Sequence, residues 1–260
     1  MSEEVTEQKV VKVCISIPNM GYTDAPAYAN RLINMLHLGR LEMAGKLDPV
    51  NHPVRFEFWF SVIGRVFTPV ARDAAVDLAM DSGCDYLYMI DDDMICPDDM
   101  FEQLYRHNVD IVAPLAFTRN PPHKPVIYHC VEGYDEVSKK DYFINNHVMN
   151  YPKDNLVECD AVGFGAVLIK REVFAKLGKK AFMSTCGTGE DILFCYKARK
   201  AGFKIFMDTG CKLGHLGQRV NVTEEYVENY RNANGYNKDH YFDYSSKNDN
   251  KDGKAVYVTA

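Results

Sequence analysis

The 260-residue chain contains no run of about 18 apolar residues, so no membrane-spanning helix and no stable membrane insertion are expected. Its first residues, MSEEVTEQK, are acidic and polar and lack the apolar core of a signal peptide. None of the eight cysteines is spaced as C-x-x-C, which speaks against a structural zinc site. Several sit in apolar runs, where a free thiol behaves as a small hydrophobe. A reduced, cytoplasmic protein is the expectation. Positive charge is in the minority, with 30 Lys and Arg against 36 Asp and Glu, a net charge of −6. A broad basic surface for non-specific nucleic-acid binding is therefore not expected, although a local basic groove remains open. There is no internal repeat and no heptad seam. At 47% hydrophobic and 25% charged the composition is that of a globular protein, and the length suits one large domain or two small ones.

What is present is an alternation of strands and helices. Val10 to Ile17 is β-branched and ends in the turn residues Pro18-Asn19-Met20-Gly21. Ala27 to Leu41 has apolar residues at helical spacing. Arg55 to Ile63 reads as a second strand. Thr68-Pro69 reads as a helix start, Thr as N-cap and Pro in the first turn, with Gly83 closing the helix. Tyr86 to Ile90 and Asp110 to Leu115 read as strands, with a helix begun at Pro97-Asp98-Asp99 between them. Residues 116–158 are irregular, either a hairpin-containing insertion or an acceptor-facing loop. Cys159 to Lys170 is Gly-punctuated and then strand-like. A short helix follows from Arg171, a second after Glu190-Asp191, a strand over 203–208, and a short helix near 223–233. Such alternation predicts an α/β fold with a mainly parallel sheet flanked by helices. In such sheets ligands sit at the carboxyl ends of strands.

At one such end, Tyr86-Leu87-Tyr88-Met89-Ile90 runs into Asp91-Asp92-Asp93. Three adjacent carboxylates repel one another, and folding gains nothing evident from them. A divalent cation would neutralise them, and carboxylate oxygens suit hard ions such as Mg2+ or Mn2+, here together with phosphates. Three further features follow in order: Gly163 and Gly165, Glu190-Asp191, and His215. Singly, each has an ordinary explanation. An Asp run can be a solvated turn, paired glycines a bulge, first-turn acids a response to the helix dipole, and a lone His a structural residue.

In combination, over roughly residues 11–217, the chain resembles the GT-A class of nucleotide-sugar-dependent glycosyltransferases, with its Rossmann-like fold, and is nearest to the family 2-like members. The segments that carry the resemblance are SIPNMG, TPVARDAAVDLAMDSGCDYLYMIDDDM, VGFGAVLIKREVF, GTGEDILFCYKARKAGFKIF and LGHLG. It implies that Asp91 and Asp93, with His215, hold Mn2+ or Mg2+ on the diphosphate of a nucleotide-sugar donor, expected to be UDP-linked. Asp92 then touches the ribose or a positive neighbour. Asp191 matches the catalytic base of an inverting transfer, with Glu190 as the alternative base or a contact to sugar hydroxyls. Pro18, Asn19 and Gly21 match the nucleobase edge, and Arg72 a donor-binding helix position, against which stands a plain ion pair with a nearby Asp. Gly163 and Gly165 would let the backbone approach the sugar. Lys212 and Arg219 lie near His215 in sequence and could reach a phosphate. The family usually has Asn after the helix Arg, whereas this chain has Asp73.

The resemblance implies a hydroxyl acceptor, which could be a glycan, a small molecule, a protein or a modified base in DNA. Tyr226, Tyr230, Tyr236, Tyr241 and Tyr244 could stack on sugars or bases, or simply pack. With no membrane segment and no long C-terminal domain, a processive polysaccharide synthase is not expected. A nucleotidyltransferase or pyrophosphorylase would carry a basic Gly-rich loop after the first strand, but PNMGYTDAP has no Lys or Arg. A catalytically inactive nucleotide-sugar-binding module is disfavoured by the presence of Glu190, Asp191 and His215 together. The expected organisation is a flexible N-terminus at 1–9, a catalytic domain at 10–217, and a polar C-terminal extension at 218–260.

Overall fold

In the computed structural model, the described residues are 9–19, 21, 23–44, 54–137, 139–182, 188–217, 220–234 and 242–243. The first β-branched run forms β1 (Lys9–Asn19), followed by α1 (Ala25–Ala44) and the aromatic strand β2 (Val54–Gly64). Next come α2 (Thr68–Asp81), β3 (Tyr86–Ile90), a two-residue β4 (Met94–Ile95), α3 (Met100–Arg106) and β5 (Ile111–Leu115). The irregular region resolves into a hairpin, β6 (Ile127–Asp135) and β7 (Lys140–Asn150). After it run β8 (Leu156–Cys159), β9 (Ala161–Val162), β10 (Ala166–Lys170), α4 (Arg171–Leu177) and α5 (Glu190–Lys200). The described chain closes with β11 (Ile205–Lys212), β12 (Gly214–Leu216), β13 (Asn221–Val222), α6 (Glu224–Ala233) and β14 (Phe242–Asp243).

Seven strands make the central sheet in the order β2-β1-β3-β10-β5-β11-β8. β2, β1, β3, β5 and β11 share one direction, while β10 and β8 run against it. The sheet is thus mixed and mainly parallel, with helices on both faces, as expected. Alternate residues of β3 show why its run is continuously apolar. Leu87 and Met89 join the core beneath α2, α4 and α5, and Tyr88 and Ile90 join the one beneath α1 and α3. A second sheet, β14-β7-β6-β9, carries the hairpin, and a third, β13-β12-β4, is small.

Local chemistry sets the boundaries that matter. Pro69 lies in the first turn of α2, as expected, but the residue at the cap is Phe67, and no side chain caps the helix. The Phe67 carbonyl accepts instead from the Val70 and Ala71 amides at 2.9 and 3.0 Å. At the far end Gly83 takes φ +67°, the left-handed conformation that lets the chain turn back into β3. Residues 220–234, placed by sequence in the polar extension, supply β13 and α6, and Val222 and Val227 are fully buried in the larger core. Cys14, Cys84, Cys96, Cys195 and Cys211 are buried free thiols. Among the described residues no helix is long and apolar enough to cross a membrane.

Candidate functional site

The Asp triplet leaves the sheet where β3 ends. The Asp91 amide donates to the Gly165 carbonyl at 2.8 Å, the last link between β3 and β10. α1 pins the turn from the other side. Arg31 Nη2 donates to the Asp91 carbonyl at 2.9 Å, and Asn30 exchanges two hydrogen bonds with the Cys96 backbone. A cleft of about 360 Å³ opens there, lined by Arg72, Asp91, Arg119, Glu190, Asp191 and His215 among others. Gly163 and Gly165 line it too.

Arg72 organises the carboxylates beneath this cleft. It is 3% exposed. Its Nη2 donates to Asp91 Oδ1 and to the Phe164 carbonyl, both at 3.1 Å, and its Nη1 lies 3.3 Å from Glu190 Oε1. Its guanidinium also faces the Phe164 ring, 5.4 Å from the centroid. Burial pushes the Asp91 carboxyl up to about 6; Arg72 opposes the rise and Asp93 and Glu190 add to it. Asp191 is raised as well, by burial first, against the pull of Arg72. Its Oδ1 accepts the Ile192 amide at 2.7 Å, which fixes the carboxylate at the N-terminus of α5. A Cβ at Gly189 would sit 2.7 Å from that oxygen, so glycine makes room for it.

His215 reaches the triplet through the small third sheet. β12 pairs antiparallel with β4, His215 opposite Met94, and the Leu216 amide donates to the Asp93 carbonyl at 2.9 Å. His215 Nδ1 lies 2.8 Å from the Phe117 carbonyl. Nδ1 is therefore the donor, and in the neutral ring Nε2 presents a lone pair. That nitrogen stands 3.3 Å from Asp93 Oδ2. In the protonated ring Nε2 donates to that oxygen; in the neutral ring the two are acceptors that a cation between them would join. An imidazole anchored through its other nitrogen beside a carboxylate is a donor set that fits Mn2+ or Mg2+. Burial alone would raise the Asp93 carboxyl, but His215 and Arg119 outweigh it and hold it below the usual carboxylate range.

The third expected ligand, Asp91, turns to Arg72 instead. Among the described residues no three His, Cys, Asp or Glu side chains come together as a ready metal set. The pair at hand is Asp93 and His215.

The remaining expectations fall variously. Pro18, Asn19 and Gly21 sit at the carboxyl end of β1, on the strand beside β3, but outside the residues that line the cleft. Asn19 Oδ1 accepts the Gly21 amide at 2.6 Å and shapes that turn, with Gly21 at φ +109°. Asp92 follows Asp91 in the turn after β3, partly buried. The glycines at 163 and 165 serve close packing inside the protein. A Cβ at Gly163 would lie 2.8 Å from Val126 Cβ, and one at Gly165 2.6 Å from Met94 Cε. Lys212 is turned from the site onto Glu224 at 2.8 Å and Asp154 at 3.1 Å. Tyr226 and Tyr230 pack on His123. Arg219, Tyr236, Tyr241 and Tyr244 lie outside the described residues. Asp73, where the resembled family has Asn, accepts the Phe182 amide at 2.9 Å. One site residue was not foreseen: Arg119, whose guanidinium touches Asp93.

No family model and no curated protein matches this sequence. Among solved structures, A197 from STIV aligns at 18% identity and TM-score 0.50, over 83% of this chain and 92% of that one, a likeness of fold. GalNAc-T7, crystallised with UDP, GalNAc and Mn2+, aligns at 13% identity and TM-score 0.42, over 86% of this chain and 47% of that one. A UDP-glucose pyrophosphorylase complexed with UDP-glucose aligns at 11% identity and TM-score 0.45, over 87% of this chain and all of that one.

Proposed function

We propose that this protein is a metal-dependent glycosyltransferase of the GT-A type, moving a sugar from a UDP-linked donor to a hydroxyl acceptor with inversion. The observation that carries the proposal is a convergence on one cleft at the carboxyl edge of a mainly parallel sheet. His215, whose Nε2 lies 3.3 Å from Asp93 Oδ2, lines this cleft together with Glu190 and Asp191.

In this reading Asp93 and His215 hold Mn2+ or Mg2+. When bound, the cation supplies Lewis-acid stabilisation of the charge that builds on the departing diphosphate. Asp191 takes the proton from the acceptor hydroxyl. Its Oδ1 is fixed by the Ile192 amide, and the carboxylate is a stronger base for being partly desolvated. Arg72 holds Asp91 and Glu190 in place through its two ion pairs, and Glu190 is left to orient sugar hydroxyls. The turn Pro18–Gly21 lies on the neighbouring strand, where a nucleobase would extend.

The test is incubation with Mn2+ and a panel of nucleotide sugars, following release of nucleoside diphosphate. Release from one donor, lost in Asp93→Ala, is the expected result. No release and no metal-dependent thermal shift with any donor would overturn the proposal. So would pyrophosphate-dependent conversion of the donor, which would mark a nucleotidyltransferase.

A further inference from the structure

Arg119 lies on the loop Thr118–Lys124. The Thr118 amide donates to the Lys124 carbonyl at 2.8 Å, and the Lys124 amide to Thr118 Oγ1 at 2.9 Å, which closes the loop on itself. α6 holds it from behind. Arg231 Nη2 donates to the His123 carbonyl at 3.1 Å, and the buried His123 ring meets Tyr226 and Tyr230 edge-on. The base of the loop is thus fixed, whereas the Arg119 side chain is half exposed. Its stem passes over Gly217, where a Cβ would come within 3.7 Å of Arg119 Cγ. Its Nη2 donates to Asp93 Oδ2, and its Nε stands 3.4 Å from His215 Nε2. The guanidinium therefore fills the point at which the two acceptors converge.

A divalent ion and a guanidinium cannot share that point. We propose that Arg119 is a resident counter-cation of the Asp93–His215 pair, displaced by a divalent ion and then bound to the diphosphate of the donor. The proposal rests on the function proposed above and adds a residue to it. Displacement costs the metal the contact that Arg119 makes with Asp93, so the ion binds weakly alone. An incoming diphosphate offers the displaced fork two oxygens in matching geometry, which a lone Asp93 oxygen does not. Metal and diphosphate then favour each other's binding.

The experiment titrates wild type, Arg119→Gln and Asp93→Asn with Mn2+, reading the free ion by electron paramagnetic resonance, and then titrates UDP at saturating Mn2+ by calorimetry. Arg119→Gln should bind Mn2+ about ten-fold more tightly than wild type, about 1.4 kcal/mol, and UDP about ten-fold more weakly. Asp93→Asn should lose Mn2+. The opposite signs are the signature, because a loop that merely held its shape would weaken both ligands or neither. Equal or weaker Mn2+ binding by Arg119→Gln, with Mn2+ binding by wild type intact, would overturn the role of Arg119 and leave the cation site standing. Unchanged UDP affinity would overturn the transfer to the diphosphate. Absence of Mn2+ binding from wild type and Arg119→Gln alike, with and without UDP, would overturn both the cation site and the role of Arg119.

Discussion

Replacing Arg72 with Met keeps most of the side-chain volume and removes one buried charge. Two losses follow. The Phe164 carbonyl loses a donor at 3.1 Å, worth about 1 kcal/mol. Asp91 and Glu190 lose the cation between them. Breaking a fully buried pair costs about 3–5 kcal/mol. Here the carboxylates are 28% and 21% exposed, so solvent relieves part of that cost and the lower end applies. Together, Arg72→Met should cost about 3–4 kcal/mol, roughly 10 °C in Tm for a chain of this length. Urea unfolding at pH 7.5 measures it. The decisive comparison is the double variant Arg72→Met/Asp91→Asn, which removes the stranded charge as well. It should unfold at a higher urea concentration than Arg72→Met alone, with a coupling of about 1.5–3 kcal/mol. If the two changes add within about 0.5 kcal/mol, Arg72 is not the charge partner that the geometry makes it.

Gly163→Ala should cost about 1–3 kcal/mol, since its Cβ meets the stiff, branched Val126. Gly165→Ala should cost less despite a shorter contact, because the Met94 methyl can swing; urea midpoints in the reverse order would refute this. Asp191→Asn should slow transfer by about 10²–10⁴-fold while donor binding survives, and normal turnover would remove it as the base. Glu224 is raised by burial but held below its ordinary value by Lys153, Lys212 and Tyr151. The stability it contributes is therefore complete above its unfolded value and is lost as pH falls through the lower folded one. Glu224→Gln should thus cost about 2 kcal/mol at pH 7 and progressively less in acid. A difference from wild type that stays constant from pH 7 to pH 3 would contradict that.

Features carried by local pattern were legible in the sequence. The apolar run of β3 ends at Ile90, and the helix with Pro in its first turn follows Phe67. Strand–helix alternation pointed to a mainly parallel sheet. Nothing in VGFGAVLIK states, however, that β10 runs antiparallel between β3 and β5, because direction depends on how the intervening chain returns. Lys212 illustrates a different failure. It is near His215 in sequence, but it ends β11 in the central sheet while His215 lies on β12 in another, and Glu224 stands 2.8 Å from its Nζ. Arg119 gave no signal beyond being a cation in a loop beside prolines. Its partner is 26 residues away, and only the folded chain brings them together.

The pairing of β4 with β12 has a consequence for how the protein is made. Asp93 leaves the ribosome 122 residues ahead of His215. A nascent chain can therefore lay down β1 to β5 while its carboxylate cluster still lacks the imidazole that completes it. If Asp93 and His215 hold the proposed cation, their site is completed late in biogenesis. A chain cut between β11 and β12 would keep the seven strands of the central sheet and lose the stretch that carries His215.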